Sequence, residues 1–348
     1  MPDAQCDIII PVYNKLELTK NCLESIQANT TAPYRLILID NGSKGEIKGF
    51  LEDFKRSNGN VILVRNDENL GWVKAVNQGI KLSSTPYICV MNNDTVVHTK
   101  GWLSKLLAVA ATEPDIGLVN PRFEVKVRQR SDKPYIEVDF CRGYCILVKR
   151  EVLEKIGGLD EGYGLGYYDD DDFSVRALRA HFKCVRANDV YVEHLRDSTF
   201  KDIFAEAERL ELHEKNKALF YKKWGRRLNV AFVMTKARDR RFFDILLSLA
   251  RRQHIVYVWN GAARAGLEHI NIRYKKWPGL VTAVIAPFFL GLNWTKQKTK
   301  RYAAVFTDDA VLCQVLSKVR PKVYYFNADK DECRVVDIID AIAKTDQP

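Results

Sequence analysis

Between residues 7 and 112 the chain alternates short apolar runs with stretches of helical spacing, and three of the runs stop at polar residues. Asp7 to Val12 is continuously apolar after its first residue and leads into Tyr13 and Asn14; Arg35 to Asp40 leads into Asn41; Tyr87 to Asn92 leads into Asn93 and Asp94. Leu16, Thr19, Leu23 and Ile26 follow the first run at spacings of 3, 4 and 3, which predicts a helix. Further helical stretches fall at Ile47 to Ser57, Gly71 to Leu82 and Gly101 to Thr112, with a strand at Val61 to Arg65. This alternation is the sequence form of βαβ units and predicts an α/β fold on an open, largely parallel sheet. Such sheets bind ligands outside the carboxyl ends of their strands, so the three polar strand ends are expected to meet in one crevice.

Beyond residue 112 the pattern becomes mixed. Strand-like segments occur near Ile116 to Asn120 and Ile136 to Val148, joined by a basic, Pro-bounded connection from Arg122 to Pro134. A helix is expected from about Asp169 and another from Asp202 to Trp224. At Gly225-Arg226-Arg227 the composition shifts. Strand and helix patterns then resume from Asn229 to Ala343, which predicts a second, smaller α/β body and domains at 1–225 and 226–348.

Charge divides at the same place. The whole chain carries +10, but residues 1–225 hold 32 basic and 33 acidic side chains, whereas residues 226–348 hold 22 and 11. The excess base is therefore local, and with no recognisable reading motif it does not indicate nucleic acid. Residues 226–301 hold 16 basic and three acidic residues around an apolar stretch from Trp277 to Trp294. Cations and aromatics flanking an apolar segment suit a peripheral contact with an anionic membrane or an acidic acceptor, and equally a buried helix with solvated ends. The stretch is 18 residues long and contains Pro278, Gly279, Pro287 and Gly291, too short and interrupted for a membrane span. The eight cysteines include no C-x-x-C pair and read as reduced, buried thiols. The opening residues lack the basic and apolar regions of a signal peptide. The expected location is cytoplasmic, with a peripheral contact at the inner face of the cytoplasmic membrane.

Four constellations carry chemistry. Asp40-Asn41-Gly42-Ser43 ends a strand with a carboxylate that can accept from a base N–H or cap the next segment. Asn69-Leu70-Gly71-Trp72-Val73-Lys74 opens a helix with a glycine and a cation near its N-terminus, which suits a phosphate. Asn92-Asn93-Asp94-Thr95 offers the few oxygen ligands that a hard cation bridging a diphosphate needs, or a simple turn. Gly164 to Tyr168 leads into Asp169-Asp170-Asp171-Asp172, more acid than a helix start requires. One of these carboxylates, placed in an apolar pocket, would have the raised pKa of a general base. His194 follows within Glu193 to Phe200, as a metal ligand or an ordinary histidine.

Taken in order, Ile8-Ile9-Ile10-Pro11-Val12-Tyr13-Asn14, the Asp40 to Ser43 strand end, Asn-x-Gly-x-x-x-Ala-x-Asn-x-Gly from Asn69, Asn92 to Thr95, Arg142-Gly143-Tyr144-Cys145, the acidic run and His194 to Phe200 resemble the family-2 glycosyltransferases of the GT-A fold. The resemblance covers about residues 6–224. It implies a GT-A fold with a Rossmann-like nucleotide-binding sheet, followed here by a smaller Rossmann-like accessory domain. It further implies an inverting transfer from a nucleotide-sugar donor to a glycan or lipid-linked acceptor, assisted by Mn2+ or Mg2+, in a polysaccharide or O-antigen pathway of the cell envelope.

By the same resemblance Asp40 contacts the nucleotide base, with Pro11, Tyr13, Asn14, Asn69, Gly71, Lys74, Asn77, Asn92 and Asn93 around the donor. Asp94 and His194 hold the metal, Asn92 standing where an acid is more usual. Asp170 is the base, or Asp171 if the register slips by one, and Gly143, Tyr168 and Asp169 meet the acceptor. A catalytically inactive sugar-nucleotide or lipid-binding protein would keep Asp40 and the basic module without needing Asp170. A sugar nucleotidyltransferase would want a Gly-rich loop after the first strand, where this chain has Pro11 to Asn14.

Overall fold

The first strand, β1 (Cys6–Val12), is buried along its whole length. A continuous apolar run is stable there because both of its faces are covered. Ile8, Ile10 and Val12 join one core cluster with Leu36, Leu38 and Cys89, while Ile9 joins another with Ile37, Ile39 and Val90. Alternate residues of a strand point to opposite faces, so one run feeds two cores.

The computed structural model describes residues 4–124, 133–195, 205–235, 240–260, 269–276, 302–319, 321–326 and 332–345. The chain divides into two compact units, Met1–Leu219 and Phe220–Pro348. In the first, the elements are β1, α1 (Leu16–Asn29), β2 (Tyr34–Asn41), α2 (Ile47–Ser57), β3 (Val61–Asn66), α3 (Trp72–Leu82), β4 (Tyr87–Met91), β5 (Thr95–Val97), α4 (Trp102–Thr112), β6 (Ile116–Arg122), β7 (Tyr135–Val138), β8 (Cys145–Lys149), α5 (Arg150–Ile156), α6 (Asp169–Arg179), β9 (Lys183–His194) and α7 (Glu206–Trp224), the last continuing into the second unit. The sheet order is β3-β2-β1-β4-β8-β6-β9-β5, with β7 also on β9. Strands β3, β2, β1 and β4 are mutually parallel, and β8 runs against both β4 and β6.

The β1–β2 ladder continues to Val12 opposite Asp40, but the β1–β4 ladder stops at Ile9 opposite Val90. Proline has no N–H to donate to a sheet partner. The β1–β4 ladder ends at the point where the strand order reverses. Pro11 itself is buried within β1.

The expected single segment from Ile136 to Val148 is two strands with a turn between them. Asn120 takes hold of the chain at Arg142 and Cys145, and Ser174 accepts from the Cys141 N–H, so the middle of the segment is drawn out of the sheet. The connection Arg122 to Pro134 lies partly outside the described residues, as do 196–200 of the His194 segment.

The second unit is a five-stranded, all-parallel sheet. Its elements are β10 (Asn229–Met234), α8 (Arg240–Arg251), β11 (Ile255–Asn260), β12 (Ile272–Lys276), β13 (Ala304–Thr307), α9 (Ala310–Val319), β14 (Val323–Tyr325) and α10 (Glu332–Thr345). The order β12-β11-β10-β13-β14 is the 3-2-1-4-5 order of a Rossmann-like sheet. The apolar stretch from Trp277 to Trp294, on which the membrane expectation rests, lies outside the described residues. Among the described residues no helix is long and apolar enough to cross a membrane.

At the amino end of the first sheet, Asp7 ties three segments together. Its buried carboxylate accepts from Arg35 at 2.7 and 2.8 Å, from the Ser83 hydroxyl at 2.7 Å and from the Ser84 and Thr85 N–H groups at 3.0 and 3.3 Å. Burial alone would raise this carboxyl, but the Arg35 guanidinium and the other donors outweigh it and hold the pKa at about 2. A depression of that size is worth about 2 kcal/mol, present above about pH 4 and lost as Asp7 takes up its proton on acidification. Asp7→Asn should therefore cost about 3–5 kcal/mol at neutral pH, the range for a broken buried pair. In urea unfolding of both proteins from pH 7 to pH 2, the difference should shrink below pH 4.

Candidate active site

The strand ends are joined to one another by side-chain amides. The Asn14 main-chain N–H donates to the Ser43 hydroxyl at 2.9 Å, and the Asn14 side-chain Oδ1 accepts from the Lys44 N–H at 2.9 Å. Asp40 is buried with one oxygen accepting from the Ser43 N–H at 2.9 Å and the other from Arg65. The carboxylate assigned to the nucleotide base thus makes the turn at 40–43 and an internal ion pair. Asn69, Asn41 and Asn66 form a ladder that ends in a reciprocal amide pair with Gln78. It holds the loop before α3, where Gly71 sits at φ 84° with Leu165 so close that a Cβ would lie 2.8 Å from its side chain. Only glycine suits that backbone and that gap. Lys74 is exposed on the first turn of α3, and Tyr13 is half-buried.

Two amides expected at the donor do something else. Asn93 is buried and donates to Thr19 at 2.9 Å, because a residue next to Asn92 points to the opposite side of the chain. Asn77 donates to the Leu159 carbonyl and accepts from the Leu159 N–H, both at 2.9 Å, and also reaches Glu161. It secures the approach to the acidic turn.

His194 is brought to Asp94 by the sheet. β5 pairs antiparallel with the end of β9, setting Thr95 opposite His194. His194 Nε2 then lies 3.2 Å from the Asp94 carboxylate and 3.1 Å from the Asn92 amide. Its ring stacks on Tyr144 with centroids 5.3 Å apart. Among the described residues no group of three or more His, Cys, Asp or Glu side chains could hold a metal ion. One carboxylate and one imidazole nevertheless fit a divalent cation that takes its remaining ligands from diphosphate and water.

Helical geometry sends the four aspartates to different surroundings, which lessens their mutual repulsion. Asp172 is fully buried against Arg176 at 2.8 Å, and Arg176 also donates to the Ile156 and Gly158 carbonyls. Asp169 is buried and accepts from the Trp72 indole; burial first, and the Asp170 charge second, push its pKa up to about 8. Asp170 accepts from the Gly143 N–H at 2.8 Å and from the Asp171 N–H at 3.0 Å. Burial raises the Asp170 carboxyl, and those N–H groups and the Arg142 cation limit the rise. Asp169 and Asp170 border an apolar cavity of about 20 Å³ lined by Trp72, Val76, Ile146 and Phe173; Asp171 does not.

The turn into α6 has Tyr167 and Tyr168 both at positive φ, 68° and 66°. This costly backbone is held from α7, where the buried Asn216 amide donates to the Tyr163, Gly166 and Tyr167 carbonyls. The His213 ring lies 5.5 Å from Tyr167 and 5.3 Å from Tyr168. Asn216, Asn120 and Trp72 were not anticipated as site residues. The available signals were a lone amide in a helix of Glu and Lys, an amide closing an apolar strand, and an aromatic directly after Gly71.

A bridge joins the two halves of the site. Tyr144 stacks on His194 and its carbonyl accepts from the Asn92 N–H at 2.9 Å, while the neighbouring Gly143 holds Asp170. Metal-suited and proton-accepting groups are therefore connected through one dipeptide.

A titration checks the Asp169 environment. The folded chain holds this proton between about pH 4 and pH 8, where the unfolded chain has released it, so stability falls as pH rises through that window. Asp169→Asn should gain on the parent over the same interval and keep a constant lead above pH 8, read from urea unfolding of both proteins between pH 5 and pH 9. A constant difference at every pH would show that Asp169 is not buried as described.

Residues 7–159 match the sequence profile of Glycosyl transferase family 2. The chain is 24% identical over 198 residues to glycosyltransferase AglE of Haloferax volcanii, covering 53% of this chain and 64% of that one. It is 31% identical over 100 residues to the poly(ribitol-phosphate) beta-glucosyltransferase of Bacillus spizizenii, 28% of this chain and 16% of that one. The matches thus span less than two thirds of these relatives. Among solved structures it resembles the mannosyltransferase PcManGT from Pyrobaculum calidifontis, solved with GDP-Man and Mn2+, at a TM-score of 0.51 and 14% identity over 98% of this chain and 85% of that one. That likeness shows the fold, an α/β architecture of the GT-A class.

Proposed function

Because residues 7–159 belong to glycosyl transferase family 2, we propose that this chain transfers a sugar from a nucleotide-diphosphate donor to a hydroxyl of a glycan or lipid-linked acceptor, with inversion. The observation that carries the reading is the Gly143–Tyr144 bridge, which sets Asp170 and the Asp94–His194 pair on one scaffold. Asp170 is the base. It is held at two backbone N–H groups, borders an apolar cavity and has a raised pKa, which suits a carboxylate that accepts a proton from an attacking hydroxyl. Asp169, neutral at pH 7, places no second negative charge beside it.

Asp94 and His194 would hold Mn2+ or Mg2+, which supplies charge neutralisation for the diphosphate leaving group. The solved relative with GDP-Man and Mn2+ supports this ligand class. The poly(ribitol-phosphate) beta-glucosyltransferase relative supports a role in building cell-envelope polysaccharide. The second unit, a single Rossmann-like sheet, is read as an accessory module.

Asp170→Asn should lower transfer on the order of 100-fold or more, the usual contribution of a general base, with nucleotide binding retained. Asp171→Asn should stay within a few-fold of the parent. Asp94→Ala should abolish the metal-dependent part of nucleotide binding, measured by calorimetry with UDP and GDP in the presence and absence of Mn2+. Unchanged turnover of a nucleotide-sugar panel by Asp170→Asn would overturn the assignment.

A further inference from the structure

Arg142 adjoins the glycine that holds Asp170, and beyond its electrostatic effect on that carboxyl the transfer scheme gives its guanidinium no ligand. It is exposed, and its guanidinium lies 4.5 Å from the Phe123 ring centre and 5.5 Å from that of Phe140. Its peptide is fixed by Asn120, whose carbonyl accepts from the Arg142 N–H at 2.6 Å and whose amide donates to the Arg142 carbonyl at 3.1 Å. Asn120 pairs with Arg186 across the β6–β9 ladder, which places a second guanidinium on the same side of the sheet. The Arg186 Nε is buried and makes no hydrogen bond. A third arginine, Arg122, lies two residues beyond Asn120 with its guanidinium 5.8 Å from the Tyr191 ring centre.

Like charges gathered on one scaffold are a cost unless something negative joins them. Burial disfavours the Arg186 cation most; Glu124 and then Tyr144 oppose that effect, and the nearby Arg122 and Arg142 add to it. A guanidinium stacked between aromatic rings keeps its N–H edge available, and that planar fork matches a phosphate through two parallel hydrogen bonds. Stacking also removes much of the rotamer freedom that binding would otherwise have to restrict.

We propose that Arg142 and Arg186 form an anion subsite for the acceptor, taking a phosphate carried by the glycan or by its carrier and so placing the acceptor hydroxyl at Asp170. This rests on the transfer reading given above. The phosphate can come from a phosphodiester polymer or from a lipid-linked diphosphate, and the two sources are separable.

The test uses the full chain with three probes: a soluble glycerol-phosphate oligomer, phosphatidylcholine vesicles carrying a polyprenyl diphosphate, and a neutral maltooligosaccharide. Arg142→Ala should weaken binding of a phosphate-bearing probe at least tenfold while leaving UDP and GDP affinity unchanged. Arg142→Lys, which keeps the charge and loses the fork, should recover only part of the loss. Arg186→Met should act in the same direction, with circular dichroism to confirm its fold. An effect on the oligomer assigns a polymer, and one confined to vesicles assigns a lipid carrier. Unchanged affinity for both phosphate probes in Arg142→Ala would overturn the proposal, as would a loss seen only with UDP or GDP, which would assign these arginines to the donor. Full turnover in Asp170→Asn would instead defeat the transfer reading, and direct probe binding is measured independently of it.

Discussion

The site hangs on one amide. Asn120, at the end of a buried strand, satisfies the Arg142 N–H and carbonyl and the Cys145 carbonyl at 2.5 Å. Without it the Arg142 N–H and the Cys145 carbonyl of a part-buried turn would lose these partners, at a cost of about 1–3 kcal/mol each. The same grip aims the Gly143 N–H at Asp170, sets Tyr144 against His194 and presents Arg142 between two phenylalanines. The placement of the carboxylate, the aromatic wall beside His194 and the exposed cation all depend on one turn being pulled from a sheet.

The acidic run shows how local geometry divides a problem that composition makes look insoluble. Four consecutive carboxylates in an extended chain would divide between two faces, whereas successive residues of a helix turn by about 100° and meet separate surroundings. Asp172 becomes half of an ion pair, Asp169 takes an indole N–H in a dry neighbourhood, and Asp170 receives two backbone donors. The apolar cavity beside them explains why both carboxyls are raised: charge on Asp169 or Asp170 has little solvent with which to interact.

Much of the architecture was readable because buried strands must be continuously apolar and must stop where the chain meets solvent. Asn229–Met234 and Tyr87–Met91 are recognisable on that ground alone. Pairing was not readable: β9 is twelve residues long and lies parallel to β6 but antiparallel to β7 and β5, which nothing in its composition announces. The proximity of His194 to Asp94 follows from that pairing and could enter only through a family resemblance. Direction was equally hidden. Asn92 and Asn93 are identical side by side, yet one meets His194 and the other Thr19. Asn77 shares a helix with Lys74 but serves the loop at 158–161.

The left-handed turn at Tyr167 and Tyr168 limits how this chain can be divided. Its carbonyls are held by Asn216, far along the sequence in α7, while the family match ends at residue 159, before the first of the four aspartates. A fragment trimmed to the recognised segment would discard the acidic helix, and one trimmed just after β9 would keep Asp170 but lose the clasp on the turn that presents it. The smallest portable piece of this site is therefore set by a helix with no catalytic group of its own.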